Sequence, residues 1–544
     1  MNSEALIWMP VIALLLPVLA LIASVFKRVR RLLPHGLWLL PWPAVAAAIL
    51  GVNAGPITLA WLPFQPVFFI DPPGALLLGT SAFLWSMAGF SLPVFFPHKP
   101  AGARFCVFWL LTMIGSLGVF IADDLVSFLI CYVLVSLPAY VLIVQENSQS
   151  TRRAGAIYLG FALVGEGVLI MAFVLLTVHT PEAGLRIHEL VASMLQNPDS
   201  QLTTALLILG FGMKIALVPL HFWMPLTYTA APIPVAAVLS GAGVKAGVIG
   251  LLRFLPWEGG MTDWGHLLVV IGFFGAFYGV IVGITQSHPK TILAYSSVSQ
   301  MGFLASLLGM GLITPTPGLV VIAAFYAAHH VLLKGGLFLA VGLAQTTNTH
   351  RVSLILLPAG VLGLGLAGLP LTGGFLAKYA AKEPLGDGWA SMFAACSSVG
   401  TAMLMIHFVS RLAKIEAPSA ASLKVTRLQV SWVLLAIVSL ALPWFLFDPV
   451  GFGPLSQVLA VDALWKSLWP VLLGVGLGVG VMRWGMGLGV IPSGDILALF
   501  HPLTQVATTL GKSAERVDAV LRHWPVACVS FLLLLLVLTL SAFW

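Results

Sequence analysis

The chain reads as an all-α polytopic membrane protein with about 16 transmembrane helices. Three observations carry that prediction. First, 59% of residues are hydrophobic and 8% charged, and mean hydropathy is strongly positive; a soluble globular chain carries about 25% charged residues. Second, mostly apolar runs of about 20 residues, the length that crosses a bilayer, recur from end to end. Third, Lys and Arg concentrate in every second connection between those runs, as the positive-inside rule requires.

The runs, in order, lie at about 5–26, 36–54, 73–96, 105–122, 124–145, 155–178, 203–222, 232–254, 265–286, 290–311, 316–344, 353–377, 389–410, 429–447, 467–486 and 524–544. The first has no basic segment before it and no A-x-A cleavage site. It is expected to be a membrane helix, not a cleaved signal peptide. With the N-terminus outside, the inner loops hold Lys27, Arg28, Arg30 and Arg31, then Lys99 and Arg104, Arg152 and Arg153, Lys290, and Arg351. Arg411, Lys414, Lys424 and Arg427 follow, and last come Arg483, Lys512, Arg516 and Arg522. That is 18 of the 26 Lys and Arg residues. The outer loops carry acids instead, among them Asp71, Asp123, Asp124, Glu383, Asp387 and Asp462. Both termini are therefore predicted outside.

The formal net charge is +7, but the charges are dispersed in short loops. No basic stripe with interleaved aromatics suggests nucleic acid. Cys106, Cys131, Cys396 and Cys528 are far apart, without a C-x-x-C pair, so neither an iron–sulfur cluster nor a disulfide framework is expected. Residues 487–523 show apolar residues at helical spacing with Lys512, Glu515, Arg516 and Asp518 between them. A cytoplasmic amphipathic helix and a plain connector are both open readings.

Four lysines, Lys214, Lys245, Lys334 and Lys378, lie inside apolar runs. A charge at the bilayer centre costs about 3 kcal/mol or more, so such residues mark functional sites. Two runs are also interrupted. Pro219, Pro225, Pro232 and Pro234 fall between Lys214 and Lys245, and Pro370, Gly373 and Gly374 precede Lys378. Broken helices in corresponding places of two halves suggest an inverted repeat, with helices 7 and 12 discontinuous; Pro and Gly are also simply common in membrane helices. His330 and Lys334 are four apart and share a helix face. Ser296, Ser297 and Gln300 supply polar support on the preceding run, although serines in membrane helices more often glue helices together. Lysine suits a proton relay because burial lowers an amine's pKa toward the working range. Glu166 alone among the 19 acids lies well inside a run, and Lys214 is its natural partner. His329 reads as a helix–helix contact, and His221 and His407 as interfacial. No ligand spacing suggests a metal site.

The segments GFGMKIALVPLHFWMP, APIPVAAVLSGAGVKAG, KTILAYSSVSQMGF, HHVLLKGGLF and LAGLPLTGGFLAK resemble the proton-conducting antiporter-like family. That family includes the large membrane subunits of complex I, Mrp-type antiporter subunits and energy-converting hydrogenase membrane subunits. The resemblance covers about residues 70–410. It implies a fourteen-helix fold with two inverted five-helix repeats. Matched by motif, Lys214 falls on the family's seventh-helix lysine and Lys245 on its eighth-helix lysine. His330 and Lys334 fall on the eleventh-helix pair, and Lys378 on the twelfth-helix lysine that leads to the outer exit. The expected division is 1–104 for helices one to three, 105–254 for the first repeat, 265–410 for the second, and 411–544 for helices fourteen to sixteen with the connector.

One position departs from the family. Its fifth helix carries a glutamate in a stretch resembling F-W-E-L-x-S-L; here the stretch is FLICYVLVSLPAY and Val133 stands in the glutamate's place. Glu166, one helix on, is the candidate replacement. The resemblance implies a proton-translocating subunit of a complex I-like or hydrogenase-like respiratory complex in the bacterial inner membrane. It would have no cofactor and no redox chemistry of its own, in keeping with the lack of a dinucleotide fingerprint or P-loop. Expected partners are other membrane subunits, the lipid bilayer, and a quinone-reducing or hydrogenase module. The alternatives are an Mrp-type cation/proton antiporter subunit, a gradient-powered subunit energising another partner such as inorganic carbon uptake, and a structural anchor descended from a transporter.

Overall fold

A computed structural model describes residues 3–96, 102–178, 185–195, 199–258, 261–346, 352–415, 426–484, 491–492 and 494. Residues 1–493 form one compact unit. A second unit begins at Gly494, and almost all of it, with the predicted last span 524–544, lies outside the described residues. So does most of the expected connector at 487–523.

The unit opens with α1 (Ser3–Ile7), α2 (Met9–Ala23), α3 (Lys27–Gly36) and α4 (Trp42–Leu50), then a hairpin of β1 (Ile57–Thr58) and β2 (Val67–Phe68). Next come α5 (Pro72–Phe95), α6 (Ala103–Gly118), α7 (Leu125–Ser136), α8 (Ala139–Ile143), α9 (Gln149–Val178) and α10 (Ile187–Met194). The middle is α11 (Ser200–Ile215), α12 (Trp223–Ala230), α13 (Ile233–Val238), a π-helical turn (Leu239–Gly243), α14 (Lys245–Phe254), α15 (Thr262–Ile284), α16 (Pro289–Ile313) and α17 (Leu319–Thr346). The last part is α18 (Val352–Ala367), α19 (Gly373–Ala380), α20 (Lys382–Leu385), α21 (Trp389–Leu412), α22 (Arg427–Phe447), α23 (Leu455–Val458) and α24 (Val461–Arg483).

Among the described residues, 10 helices are long and apolar enough to cross a membrane, and four shorter apolar helices accompany them. The protein is a multi-pass membrane protein. The expected span 36–54 differs from its prediction. It is helical only over Trp42–Leu50, and 9 residues rise about 13 Å against a hydrocarbon core of about 30 Å. Pro41 caps its start and Gly51 its end. The basic cluster before it is the helix α3, not a loop.

The acids of the predicted outer loops have structural work. Asp71 caps α5 by accepting a hydrogen bond from Gly74 N, with Pro72 at the first helical position, where no N–H is needed. Its carboxylate also pairs with Arg253 at 2.8 Å, whose guanidinium donates to the carbonyls of Phe120 and Ala122. Asp124 caps α7 through Ser127 N and accepts from Val67 N of the hairpin. Asp123 pairs with Arg186 at 2.8 Å.

Burial decides where chemistry can sit. The spans α5, α13–α14, α16 and α17 are the most enclosed by protein, whereas α9, α22 and α24 turn most of their surface outward. Helices α15 and α16 pack backbone to backbone: a Cβ on Gly302 would lie 2.6 Å from Ala276 N. A central pair this close lets the polar face of α16 point toward α17 and α21.

Candidate functional site: a buried polar line

The two expected breaks are present. Helix α11 ends at Ala216, in the left-handed region at φ 59°, and residues 216–222 carry Pro219 to the start of α12. Helix α18 ends before Gly368, at φ 97°, and residues 368–372 carry Pro370 to α19. Pro232 caps α13, and Pro234 lies in its first turn. Unwound backbone at membrane depth is tolerated only inside protein; His221, within the first break, is accordingly fully buried against Tyr278. His407 is buried as well, donating from Nε2 to the Gln286 carbonyl at 2.8 Å. Both histidines, expected near helix ends, are thus enclosed by protein.

Three stations hold the lysines. At the first, Lys214 ends α11 and donates from Nζ to Ser136 Oγ at 2.6 Å. The faces of Tyr132 and Tyr158 lie 5.4 and 6.0 Å from the ammonium, within cation–π range. Glu166 lines the same small cavity as Lys214 and Ser136. Glu166 Oε1 has no hydrogen-bond partner among the described residues. The Ser136 hydroxyl that accepts from Lys214 donates to the Tyr132 carbonyl at 3.0 Å. Val133 lies one turn before Ser136 on α7 and is half-buried.

The second station is fully buried. Lys245, at the start of α14, meets His330 Nδ1 at 2.8 Å. Lys334 donates to the Leu293 carbonyl at 2.8 Å. That carbonyl also accepts from Ser297 at 3.1 Å, and Ser297 is hydrogen-bonded to Ser240, also at 3.1 Å. Ser240 sits on the π-helical turn that leads into Lys245. The Gly247 backbone, two residues on, packs against Lys214 Cβ and Ile215.

The third station is reached along α16. Gln300, one turn beyond Ser297, accepts from Tyr326 OH at 2.5 Å and donates to Thr401 Oγ1 at 3.1 Å. Tyr326 precedes His330 by one turn of α17. Ser398, one turn before Thr401 on α21, accepts from Lys378 Nζ at 2.6 Å. Lys378 donates also to the Ala367 carbonyl at the break, at 3.0 Å, and opens onto a cavity of about 310 Å³.

Of the residues singled out in the sequence, Lys214 and Glu166 come together, as do Lys245, His330 and Lys334. Ser297 bonds Ser240 beside the second station, and Gln300, one turn on, bonds Tyr326 and Thr401. Ser296 is buried but has no hydrogen-bond partner among the described residues. His329 packs its ring against Gly373 and Gly374 at the start of α19, the helix contact expected of it. Ser136, Ser240, Tyr326, Ser398 and Thr401 were not singled out. Lys290 was counted in an inner loop, but it is buried and donates to the Ala231 carbonyl at 2.8 Å. Among the described residues, no group of three or more His, Cys, Asp or Glu could hold a metal ion.

Comparison with known proteins gives this arrangement a family. The family described as NADH:quinone oxidoreductase/Mrp antiporter, transmembrane, matches residues 122–404. Hydrogenase-4 component B of Escherichia coli (strain K12) is 29% identical over 277 residues, 48% of this chain and 40% of that protein. Putative antiporter subunit mnhA2 of Staphylococcus saprophyticus is 31% identical over 309 residues, 51% of this chain and 37% of that protein. The chain thus matches less than half the length of these two relatives. NADH-quinone oxidoreductase subunit N of Deinococcus radiodurans is 30% identical over 382 residues, 64% of this chain and 76% of that protein. The fold is shared with a chain of the Mrp complex from Dietzia sp. DQ12-45-1b, at a TM-score of 0.70 and 20% identity, covering 86% of this chain and 99% of that one. It is shared also with a chain of the archaeal membrane-bound sulfane sulfur reductase, at 0.66 and 20%, covering 88% and 99%. The family segment spans the lysines of all three stations, and the chain belongs to the NADH:quinone oxidoreductase/Mrp antiporter family of membrane proteins.

Proposed function

We propose that the chain is a proton-translocating membrane subunit, and that protons move along Lys214, Lys245, His330, Lys334 and Lys378. The carrying observation is the second station. Two lysines and a histidine are buried together at the most enclosed part of the fold, with Lys245 and His330 2.8 Å apart. Adjacent buried cations raise each other's energy. Such a cluster therefore favours holding fewer protons than it has sites, and an arriving charge displaces one already there. Hydroxyls and an amide between the second station and Lys378 support that route, and Lys214 beside the first break, with Glu166 of α9 in the same cavity, supports a start at the other end.

The family also supports other membrane subunits as partners, because the structural relatives are chains of multisubunit membrane complexes. A quinone-reducing or hydrogenase module is the driving partner we favour, in line with the names of two relatives. The antiporter relative supports the second reading, a cation/proton antiporter subunit. The division 1–104, 105–254, 265–410 and 411–544, the inverted repeats, an inner-membrane location and outward termini belong to the same proposal.

The test is proton uptake in liposomes holding the full chain with its native membrane partners, followed with a pH-sensitive dye. Lys245→Ala and His330→Ala are each expected to slow uptake by about 100-fold, some 2.7 kcal/mol of barrier. Wild-type rates in both variants would overturn the relay.

A further inference from the structure

The proton line described above ends at Lys378, yet Lys378 does not face bare solvent or lipid. Its cavity is closed by a helix that begins well beyond residue 404, where the family match ends. Lys466, Ser467, Trp469 and Pro470 of α24 line that cavity together with Lys378. Ser467 Oγ donates to the carbonyl of Gly368, the left-handed residue at which α18 stops. The Lys378 chain lies across the same residue: a Cβ on Gly368 would stand 3.0 Å from Lys378 Cδ. One hydroxyl of α24 therefore fixes the backbone against which the lysine stem rests.

The mouth is built from charge. Lys382, Asp387 and Lys466 face the Lys378 cavity. A second cavity of about 650 Å³ shares Tyr379, Lys382 and Lys466 with the first and adds Glu383 and Asp462. Lys466 thus stands between the two chambers, paired with Asp462 at 2.7 Å one turn earlier. Helix α24 is seated tightly: a methyl on Gly474 would lie 2.6 Å from Ala402 Cβ, on the helix that carries Ser398 and Thr401. The same two helices thus supply the hydroxyl partner of Lys378 and the wall across from it.

We propose that α24 is the outer gate of the proton line, with Ser467 as the positioning residue for Lys378 and the Lys466–Asp462 pair as the charged step between the inner and outer chambers. A proton leaving Lys378 crosses the first chamber and passes Lys466 into the second, where Asp462 and Glu383 offer acceptors. The inference rests on Lys378 being the exit lysine.

The test uses the same liposomes, with Lys378→Gln as the reference. Ser467→Ala is expected to slow proton uptake about tenfold, short of the roughly 100-fold that a 1 Å misplacement can cost, and to alter its pH profile. Ser467→Thr keeps the hydroxyl and is expected to restore both. Lys466→Gln removes a positive charge from the mouth and leaves Asp462 unpaired; both changes favour protons there, so the pH optimum is expected to move upward. Lys466 is largely exposed, so this variant leaves folding intact. If Lys378→Gln blocks uptake while Ser467→Ala and Lys466→Gln keep the wild-type rate and pH profile, the gate is overturned. If Lys378→Gln is itself silent, the relay proposal has failed instead.

Discussion

Lys214 and Lys378 stand beside the two helix breaks, and each donates to a serine on a neighbouring helix at 2.6 Å. There the likeness ends. Lys214 sits between two tyrosine faces in a cavity of about 20 Å³, room for about one water molecule, and Glu166 shares that space. Lys378 is held by a hydroxyl and a carbonyl and opens onto about 310 Å³ that Asp387 also lines. An amine near an acid can be switched by moving the acid, because opposite charges a few ångströms apart in a dry site interact strongly. An amine held by neutral dipoles beside a chamber can release its proton outward. On the proposed relay, the contrast would separate a coupling end from an exit end within one chain.

The largest effect that would break this contrast lies at the exit. Lys378→Gln removes the amine that Ser398 and the Ala367 carbonyl hold at the edge of the first chamber. Proton uptake is expected to fall about 100-fold, or 2.7 kcal/mol of barrier, without a change in thermal stability beyond about 1 kcal/mol. Stopped-flow dye kinetics and melting of the detergent-solubilised protein measure the two quantities. A fall below threefold would merge the two ends into one kind of site.

The coupling end is expected to respond less steeply. Glu166→Gln leaves Lys214 bonded to Ser136 but removes the charge that biases it, so transport should fall about tenfold. Ser136→Ala should cost about threefold, since Lys214 loses its hydroxyl partner while both charges stay. Because the acid and the hydroxyl both neighbour Lys214, the double variant should cost less than the product of the single effects. Full multiplicativity in the same dye assay would show that the two act on Lys214 independently.

How much of this was legible in the sequence depends on what each residue costs the membrane. The four lysines, His330 and Glu166 announced themselves, because a titratable group in an apolar run has few structural excuses. The breaks were equally plain from Pro219, Pro232 and Pro370. The hydroxyls were not. Ser297, Ser398 and Thr401 each also bond the carbonyl four residues back, which is what a membrane-helix hydroxyl does when it has no other role. Only the position of a neighbouring helix distinguishes a link from a filler, and Ser296, of the same residue type next door, is a filler. Lys290 was hidden for the opposite reason. Its place at the start of α16 looked like a loop charge, and burial came from α12 ending against it. The short α4 was concealed because apolar length alone does not show where Pro41 and Gly51 stop a helix. The outer acids were read as a topology signal, and Asp71 and Asp124 prove to cap helices too.

Ser296→Ala tests the other end of that reasoning. With no hydrogen bond to lose, it should change the uptake rate by less than about twofold. A larger loss would mean that the line runs along a second face of α16.

The sharpest discrimination comes from Val133. It lies three residues before Ser136 on α7 and shares its helix face, and Ser136 is the group that Lys214 touches. A carboxylate introduced there would approach Lys214 from α7, as Glu166 does from α9. If Glu166 has taken over the biasing charge, then Val133→Glu placed in the Glu166→Gln background should recover most of the tenfold loss. Val133→Glu alone would put two acids beside one amine. Two nearby carboxylates disfavour each other's charge, so that variant should be no faster than wild type and should show an altered pH profile. Val133→Gln in the same background has the size but not the charge and should recover nothing. Recovery by both Glu and Gln would make the effect one of packing, and recovery by neither, in a protein that still melts normally, would leave Glu166 without the coupling role.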